Sequence, residues 1–316
     1  MSKKIILLLA SILSVGAFAH TIEFGFENEQ YDSKYNTSDV FMPYVSGSIT
    51  PEGSALKLDF KYLYQDQYGR ERHTDSSKKF KTKRDRFELF ASGYKYNNGN
   101  FTLTPKVGFR YEQWAIDGTS PYSQAKRYLN LRFYPDMTYK LSDSTNLYLS
   151  GFTGPAFAEV DKKSRLEETG SETYYGDWYQ EVQLLGIRHR FSNKDSVWAS
   201  IYNEYKYVEH SSEYMRWQLR VGYNMNLTDK LVVGPFGRFD LHYEEESLNK
   251  SKPSEYKKIK DKDETRIGTT FNYKVDSSLT VVGEIYWQTA LDQKYGSSAS
   301  SDKERMFYKL GLRKSF

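Results

Sequence analysis

Arg305-Met306-Phe307-Tyr308-Lys309-Leu310-Gly311-Leu312-Arg313-Lys314-Ser315-Phe316, the last dozen residues of a 316-residue chain, decide the fold class. Met306, Tyr308, Leu310, Leu312 and Phe316 are apolar at alternate positions, and Arg305, Lys309, Gly311, Arg313 and Ser315 stand between them. Phe307 and Lys314 break the pattern. A period of two describes an extended strand whose side chains point alternately to opposite faces, here one apolar and one wet.

A two-faced strand that ends the chain on an aromatic is the usual last strand of a bacterial outer-membrane β-barrel. Phe316 is then the signal that barrel-assembly machinery reads. The other end of the chain agrees. Lys3 and Lys4 precede the apolar run Ile5 to Leu13, and Ala17-Phe18-Ala19 is a small-x-small cleavage site. That pattern predicts a cleaved signal peptide over residues 1–19 and one mature domain over 20–316 beginning at His20. The apolar run is too short for a membrane anchor, and no later stretch approaches the roughly 18 apolar residues of a membrane helix.

Composition points the same way. The chain holds 28 Tyr and 19 Phe, an aromatic content that disorder does not carry. Polar composition with hidden alternation and many aromatics fits a barrel with an apolar outer face, a polar lumen and aromatic girdles. The chain has no Cys, which excludes a disulfide framework, a thiolate metal site and a thiol nucleophile. A formal net charge of +4 is too balanced for a nucleic-acid partner.

Six short polar segments read as turns: Thr50–Gly53, Asn97–Asn100, Ser142–Thr145, Ser192–Asp195, Thr228–Lys230 and Asp276–Ser278. Asn, Asp, Ser and Gly accept the left-handed or self-capped backbone such turns need. Each interval between turns is too long for one strand and divides into strand, loop, strand. The loops are read near Asp32–Thr37, Gln65–Lys83, Ile116–Gln124, Asp161–Asp177, Ser211–Ser212, Ser247–Lys262 and Asp292–Asp302. Together they predict an all-β, antiparallel, up-and-down transmembrane barrel of fourteen strands, with short periplasmic turns and longer extracellular loops.

Several strands orient residue by residue. Met215, Trp217, Leu219, Val221, Tyr223, Met225 and Leu227 alternate with Arg216, Gln218, Arg220, Gly222, Asn224 and Asn226. The same alternation runs through 101–112, 129–140 and 264–275, whereas 84–96 and 178–191 read less clearly. Pro43, Pro105, Pro135 and Pro235 count against perfect ladders there. Trp114, Trp178, Trp217 and Trp287 fall near loop-side strand ends, and Tyr139, Phe191, Tyr273 and Phe316 near turn-side ends, as two aromatic belts would.

The wet faces supply the candidate channel lining. Its bases are Lys57, Lys61, Lys106, Arg110, Arg132, Lys140, Arg188, Arg190, Arg216, Arg220, Arg238, Arg266, Lys309 and Arg313. Its acids are Glu23, Asp59, Glu112, Asp136, Glu204, Asp240, Glu244, Glu264 and Glu284. Facing charges of opposite sign set up a transverse field that attracts ions and orients dipolar solutes. They also pair across strands and hold a lumen open.

With these strands in view, the chain resembles the OmpG-like monomeric porins. The resemblance rests on Lys126-Arg127-Tyr128 leading through Pro135-Asp136-Met137-Thr138-Tyr139-Lys140-Leu141-Ser142-Asp143 into Leu147. Thr265-Arg266-Ile267-Gly268 and the final hairpin with its terminal Ser315-Phe316 extend it. It implies a fourteen-stranded barrel acting as a single monomeric pore for small hydrophilic solutes such as sugars. It also implies gating by the sixth loop, here Ser247–Lys262 with Pro253. A histidine pH gate does not carry over, because His73, His189, His210 and His242 are scattered.

The leading expectation is therefore a porin for sugars and ions in the outer membrane, in contact with lipid and lipopolysaccharide and needing no cofactor. A channel for anionic oligosaccharides or sugar acids is the alternative, since bases outnumber acids in the lining. An adhesin or receptor acting through Gln65–Lys83 and Ser247–Lys262 is a third. Enzyme readings are weak. His210 beside Glu209, Ser211 and Ser212 resembles a hydrolase cluster, but sequence neighbours in a strand face opposite sides. Asp240, His242 and Glu244 at i, i+2, i+4 would share one lumen face. A salt-bridged patch is the simpler reading there than a metal site.

Overall fold

The structure is a computed structural model, and it describes residues 19–33, 36–71, 79–117, 125–160, 173–209, 212–248, 256–260, 263–291 and 303–316. Fourteen strands form one antiparallel sheet closed on itself. The first four are β1 (Ala19–Ser33), β2 (Asn36–Ile49), β3 (Lys57–Glu71) and β4, in two pieces at Lys79–Ser92 and Tyr96–Asn98. Then come β5 (Phe101–Leu103 and Lys106–Asp117), β6 (Ala125–Tyr134 and Met137–Lys140), β7 (Thr145–Val160) and β8 (Thr173–Arg190). The circuit ends with β9 (Ser196–Val208), β10 (Ser212–Asn226), β11 (Leu231–Leu248), β12 (Tyr256–Lys260 and Asp263–Lys274), β13 (Leu279–Leu291) and β14 (Lys303–Ser315).

Each strand pairs with its chain neighbours, and β14 returns to β1 over Thr21↔Ser315 through Ser33↔Lys303. Closure removes the two open edges a sheet of this size would otherwise present inside lipid.

All six predicted turns fall at strand junctions, with Asn97, Asn98 and Thr145 already paired in the flanking strands, and the side chains show why they turn. The Asp276 carboxylate accepts from the backbone N–H of Ser278 (2.7 Å) and Leu279 (2.8 Å). Thr228 Oγ1 accepts from the N–H of Lys230 (3.2 Å) and Leu231 (3.0 Å). Asp195 Oδ1 reaches across the hairpin end to the Asn226 N–H at 2.8 Å, and Lys194 beside it sits at φ 70°.

Strands run further into the loops than the alternation suggested. β3 and β4 fill both ends of Gln65–Lys83, β8 begins at Thr173, and Tyr256–Lys260 pairs with β11 inside Ser247–Lys262. β1, β2 and β5 likewise reach Ser33, Asn36 and Asp117. A crossing needs roughly 9–11 residues, whereas β8 and β11 have 18 each. Beyond the lipid nothing requires an apolar outer face, so the period-two signal fades while the backbone ladder continues. The remaining loop residues, including 72–78, 118–124, 161–172, 249–255 and 292–302, lie outside the described ones, as do His73, His210 and residues 1–18.

Pro105 and Pro135 sit at the breaks in β5 and β6, as expected of residues that lack an N–H. Pro43 and Pro235 lie within unbroken β2 and β11, each giving up one ladder bond.

The outward face is apolar: Phe24, Phe133, Ile267 and Leu312 are all exposed there. Trp178 and Trp287 mark its loop side, and Tyr139, Phe191, Tyr273 and Phe316 its turn side. Trp217 shares the outward phase. Trp114 does not: it pairs with Arg84 on the interior face, with the Arg84 guanidinium 5.9 Å from its ring, and so leaves the belt.

Candidate functional site: the barrel interior

Alternation turns one residue in two inward, and cross-strand partners share a face. The ladder places Lys57, Lys61, Lys106, Arg110, Glu112, Arg132, Arg188, Glu204 and Arg216 on the interior side. Arg220, Arg238, Asp240, Glu264, Arg266, Glu284, Lys309 and Arg313 join them. Asp136 follows Tyr134 in the same phase at the β6 break.

Among the described residues, most of the interior ion pairs fall into three networks, with Lys57–Asp59 (3.1 Å) apart from them. At the seam, Glu23 on β1 accepts from the Tyr44 hydroxyl (2.6 Å), the Lys309 ammonium (3.1 Å) and Arg313 Nη2 (2.7 Å). Glu29 meets Arg305 further up, and Glu27 meets Lys61 at 2.7 Å. On β4 and β5, Arg110 binds Glu88 (2.6 Å) while Arg84 and Arg86 each lie 3.1 Å from Glu112. On β9 to β12, Arg216 stands among Glu204 (3.7 Å), Asp240 (3.6 Å) and Glu264 (3.4 Å).

Other interior bases are held by neutral groups. Arg132 is buried, with Nε on Asn130 Oδ1 (2.5 Å) and its guanidinium 3.8 Å from the Phe152 ring. Arg220 donates to Gln218 (3.0 and 2.8 Å) and lies 3.1 Å from the centre of the Tyr202 ring. Arg188 lies over Tyr148, Lys106 over Tyr134, and Arg238 over Phe236. A cation over a ring face is held by the quadrupole without losing its charge. Among the described residues, none of these five bases forms an ion pair with a carboxylate.

Part of this lining escaped the sequence reading. Arg84, Arg86 and Glu88 were hidden because β4 carries Asp85 outside and Phe90 inside, which blurs the alternation. Phe307, an exception to the terminal pattern, proves to be an interior residue stacked on Tyr286 at 4.6 Å and 12°. The interior aromatics could not be told from lipid-facing ones by composition.

One predicted cluster does not form. The β10–β11 register shifts between Trp217↔His242 and Gln218↔Asp240, leaving Leu241 as an extra residue. A bulge of one residue reverses the phase. Asp240 therefore faces in while His242 and Glu244 face out, 3.8 Å apart. Among the described residues no group of three His, Cys, Asp or Glu could hold a metal. Glu209 is spent on pinning β8, where it accepts from the Gly176 N–H at 2.6 Å.

No protein-family model and no curated protein matches the sequence. Solved structures do. The monoaromatic hydrocarbon channel TodX, as a deltaS2S3 mutant, is similar at a TM-score of 0.59 and 10% identity, covering 96% of this chain and 92% of that one. The Pseudomonas putida toluene transporter TodX is similar at 0.51 and 10%, covering 94% and 89%. A Pseudomonas aeruginosa FadL homologue is similar at 0.50 and 10%, with the same coverage. At this identity the likeness establishes the fold, a closed antiparallel β-barrel of the outer-membrane kind, and no closer family, OmpG-like or other.

Proposed function

We propose that the protein is an outer-membrane porin: a monomeric, water-filled channel for passive diffusion of small hydrophilic solutes such as sugars and ions. Residues 1–19 direct export and are removed, Phe316 addresses the barrel-assembly machinery, and the apolar outer face meets lipid and lipopolysaccharide. The observation that carries this reading is the charged interior of a closed fourteen-stranded barrel. Around eight strands fill their own interior and sixteen to eighteen enclose an aqueous channel. Guanidinium and carboxylate groups placed in such an interior call for water, since isolated charges are costly to desolvate.

TodX is a monoaromatic hydrocarbon channel, but an interior of Arg–Glu networks suits hydrophilic traffic. Single-channel recording of the refolded mature chain in a planar bilayer tests the reading. One conductance step per insertion is expected. Three equal steps would replace the monomer with a trimer, and silence from protein with folded gel mobility would refute the pore.

A second reading, selectivity for anionic saccharides or sugar acids, is favoured by the bases that carry no carboxylate partner. Under a salt gradient the reversal potential then has the sign of anion preference, and cation preference refutes it.

A further inference from the structure

The ion preference of a pore follows the charges left uncancelled along the water path rather than the number of bases in its wall. In the middle of the barrel cancellation is close at hand. Arg216 and Arg266 share Glu264, and Glu284 lies in electrostatic reach of Arg238. Glu181 does the same for Arg110, Arg132 and Arg220. Near the turn-side mouth several bases are matched as well. Lys57 is 3.1 Å from Asp59, Lys140 is 2.6 Å from Asp143, Arg313 is 2.7 Å from Glu23, and Asp136 lies in reach of Lys106.

The turn-side end of β8 departs from this. Arg188 and Arg190 are two residues apart on one strand, so they share a face and stand roughly 7 Å from each other. That face is the lumen: the cross-strand partner of Arg188 is Trp198, which packs beside the interior cluster of Phe236, Tyr286 and Phe307. Both arginines are exposed. Among the described residues neither lies within ion-pair distance of a carboxylate. Arg188 has the Tyr148 ring at 5.3 Å, which holds a cation without neutralising it. Their polar neighbours across the ladder are uncharged, Asn146 on β7 and Ser196 on β9, and Asn224 of β10 donates to Ser196 at 3.2 Å. An acid at any of these positions would cancel the charge. Asp195, a few residues on, is turned to the outer side, where it accepts from the Asn226 N–H (2.8 Å) and the Tyr223 hydroxyl (2.9 Å). Lys274, at the end of β12 in the same inward phase, adds a single further charge on another wall.

We propose that Arg188 and Arg190 form an anion site at the turn-side mouth and set the charge preference of the pore, while the denser networks of the middle contribute little to it. Two fixed positive charges open to water concentrate small anions there and repel cations. The guanidinium forks suit carboxylate and phosphate oxygens. The site therefore takes small organic and inorganic anions by charge. This rests on the porin reading and its anion preference, and the test separates the site from both.

The experiment is the reversal potential of the refolded barrel in a planar bilayer under a potassium chloride gradient, with gel mobility showing that each variant is folded. Arg188→Gln combined with Arg190→Gln is expected to lower the chloride-to-potassium permeability ratio by about threefold near 0.1 M salt, where charges act over about 10 Å. The shift is expected to shrink at about 1 M salt, where that range falls to about 3 Å. Arg188→Lys combined with Arg190→Lys is expected to keep the wild-type ratio. Lys314→Gln, which removes a turn-side charge of the outward phase, is expected to barely move it. No shift in the arginine-to-glutamine variant would overturn the site, and anion preference in the wild type would then leave the second porin reading to other residues. A shift as large at high salt as at low would also overturn it, because it would report a change of pore shape instead of charge. Cation preference in the wild type, with further movement toward cations in the glutamine variant, would remove the anion reading and keep the site. Silence from the folded barrel would refute the pore and this proposal together.

Discussion

Glu23 is the sharpest single test of how the barrel closes. Its side chain is 8% exposed and receives Tyr44 Oη at 2.6 Å, Lys309 Nζ at 3.1 Å, and Arg313 through Nε (2.8 Å) and Nη2 (2.7 Å). These contacts tie β1 to β2 and to the returning β14. A hydrogen bond to a charged group contributes about 1.5–3 kcal/mol, and the buried Tyr44 contact belongs in that range. Lys309 is partly exposed and adds about 1 kcal/mol. Arg313, at 43% exposed, counts for less than about 1 kcal/mol because water screens it. Glu23→Ala should therefore cost about 3 kcal/mol. Glu23→Gln, which keeps an acceptor for Tyr44, should cost roughly half of that. The assay is urea-induced unfolding in lipid vesicles followed by tryptophan fluorescence, with the denaturant slope required to stay constant. A loss under about 0.5 kcal/mol for Glu23→Ala would refute the reasoning and mean that lumen water already neutralises the seam.

Other expectations follow from the same geometry. Gly25→Ala puts a Cβ 2.3 Å from the Leu310 carbonyl oxygen and 2.8 Å from Gly311 Cα. Backbone does not yield as a side chain does, so a destabilisation of about 1–3 kcal/mol is expected in the same unfolding assay; a neutral result would show that β1 and β14 can separate without cost. In the turn after β8, the Asn226 N–H, then Tyr223 and the Asn226 side chain, hold the Asp195 carboxyl below its usual range. The contribution of this turn is present above the ordinary carboxylate pKa of about 3.9 and is lost only as pH falls through the lower folded value. The Asn226 amide proton shift in NMR should stay flat through the ordinary range and move below it, while Asp195→Asn abolishes the step. Finally, in single-tryptophan variants, brominated lipid should quench Trp178 and Trp287 and spare Trp114 and Trp198; quenching of Trp114 would reverse the assigned phase of β5.

Much of the architecture was legible because alternation is a local property. In β10 and β12 each residue's own polarity states its face, and lipid outside with charge inside leaves little ambiguity. The turns were legible for a similar reason, since Asp276 and Thr228 cap the backbone within three residues. Legibility failed where an inner aromatic or an outer acid interrupts the code, as at Phe90 and Asp85 in β4. It failed again where strands outlast the lipid.

The sequence by itself determined a closed two-faced barrel, its strand count, its turns and most of the charged residues that face inward. Only the tertiary structure decided which of those charges meet. That is a matter of stagger between strands distant in the chain, and one bulged residue resets it: Leu241 turns His242 away from Asp240. The same stagger brings Arg220, Arg238 and Arg266 into one row and closes Glu23 onto Arg313. Period two says which way a side chain points, but only the register between strands says what it finds there.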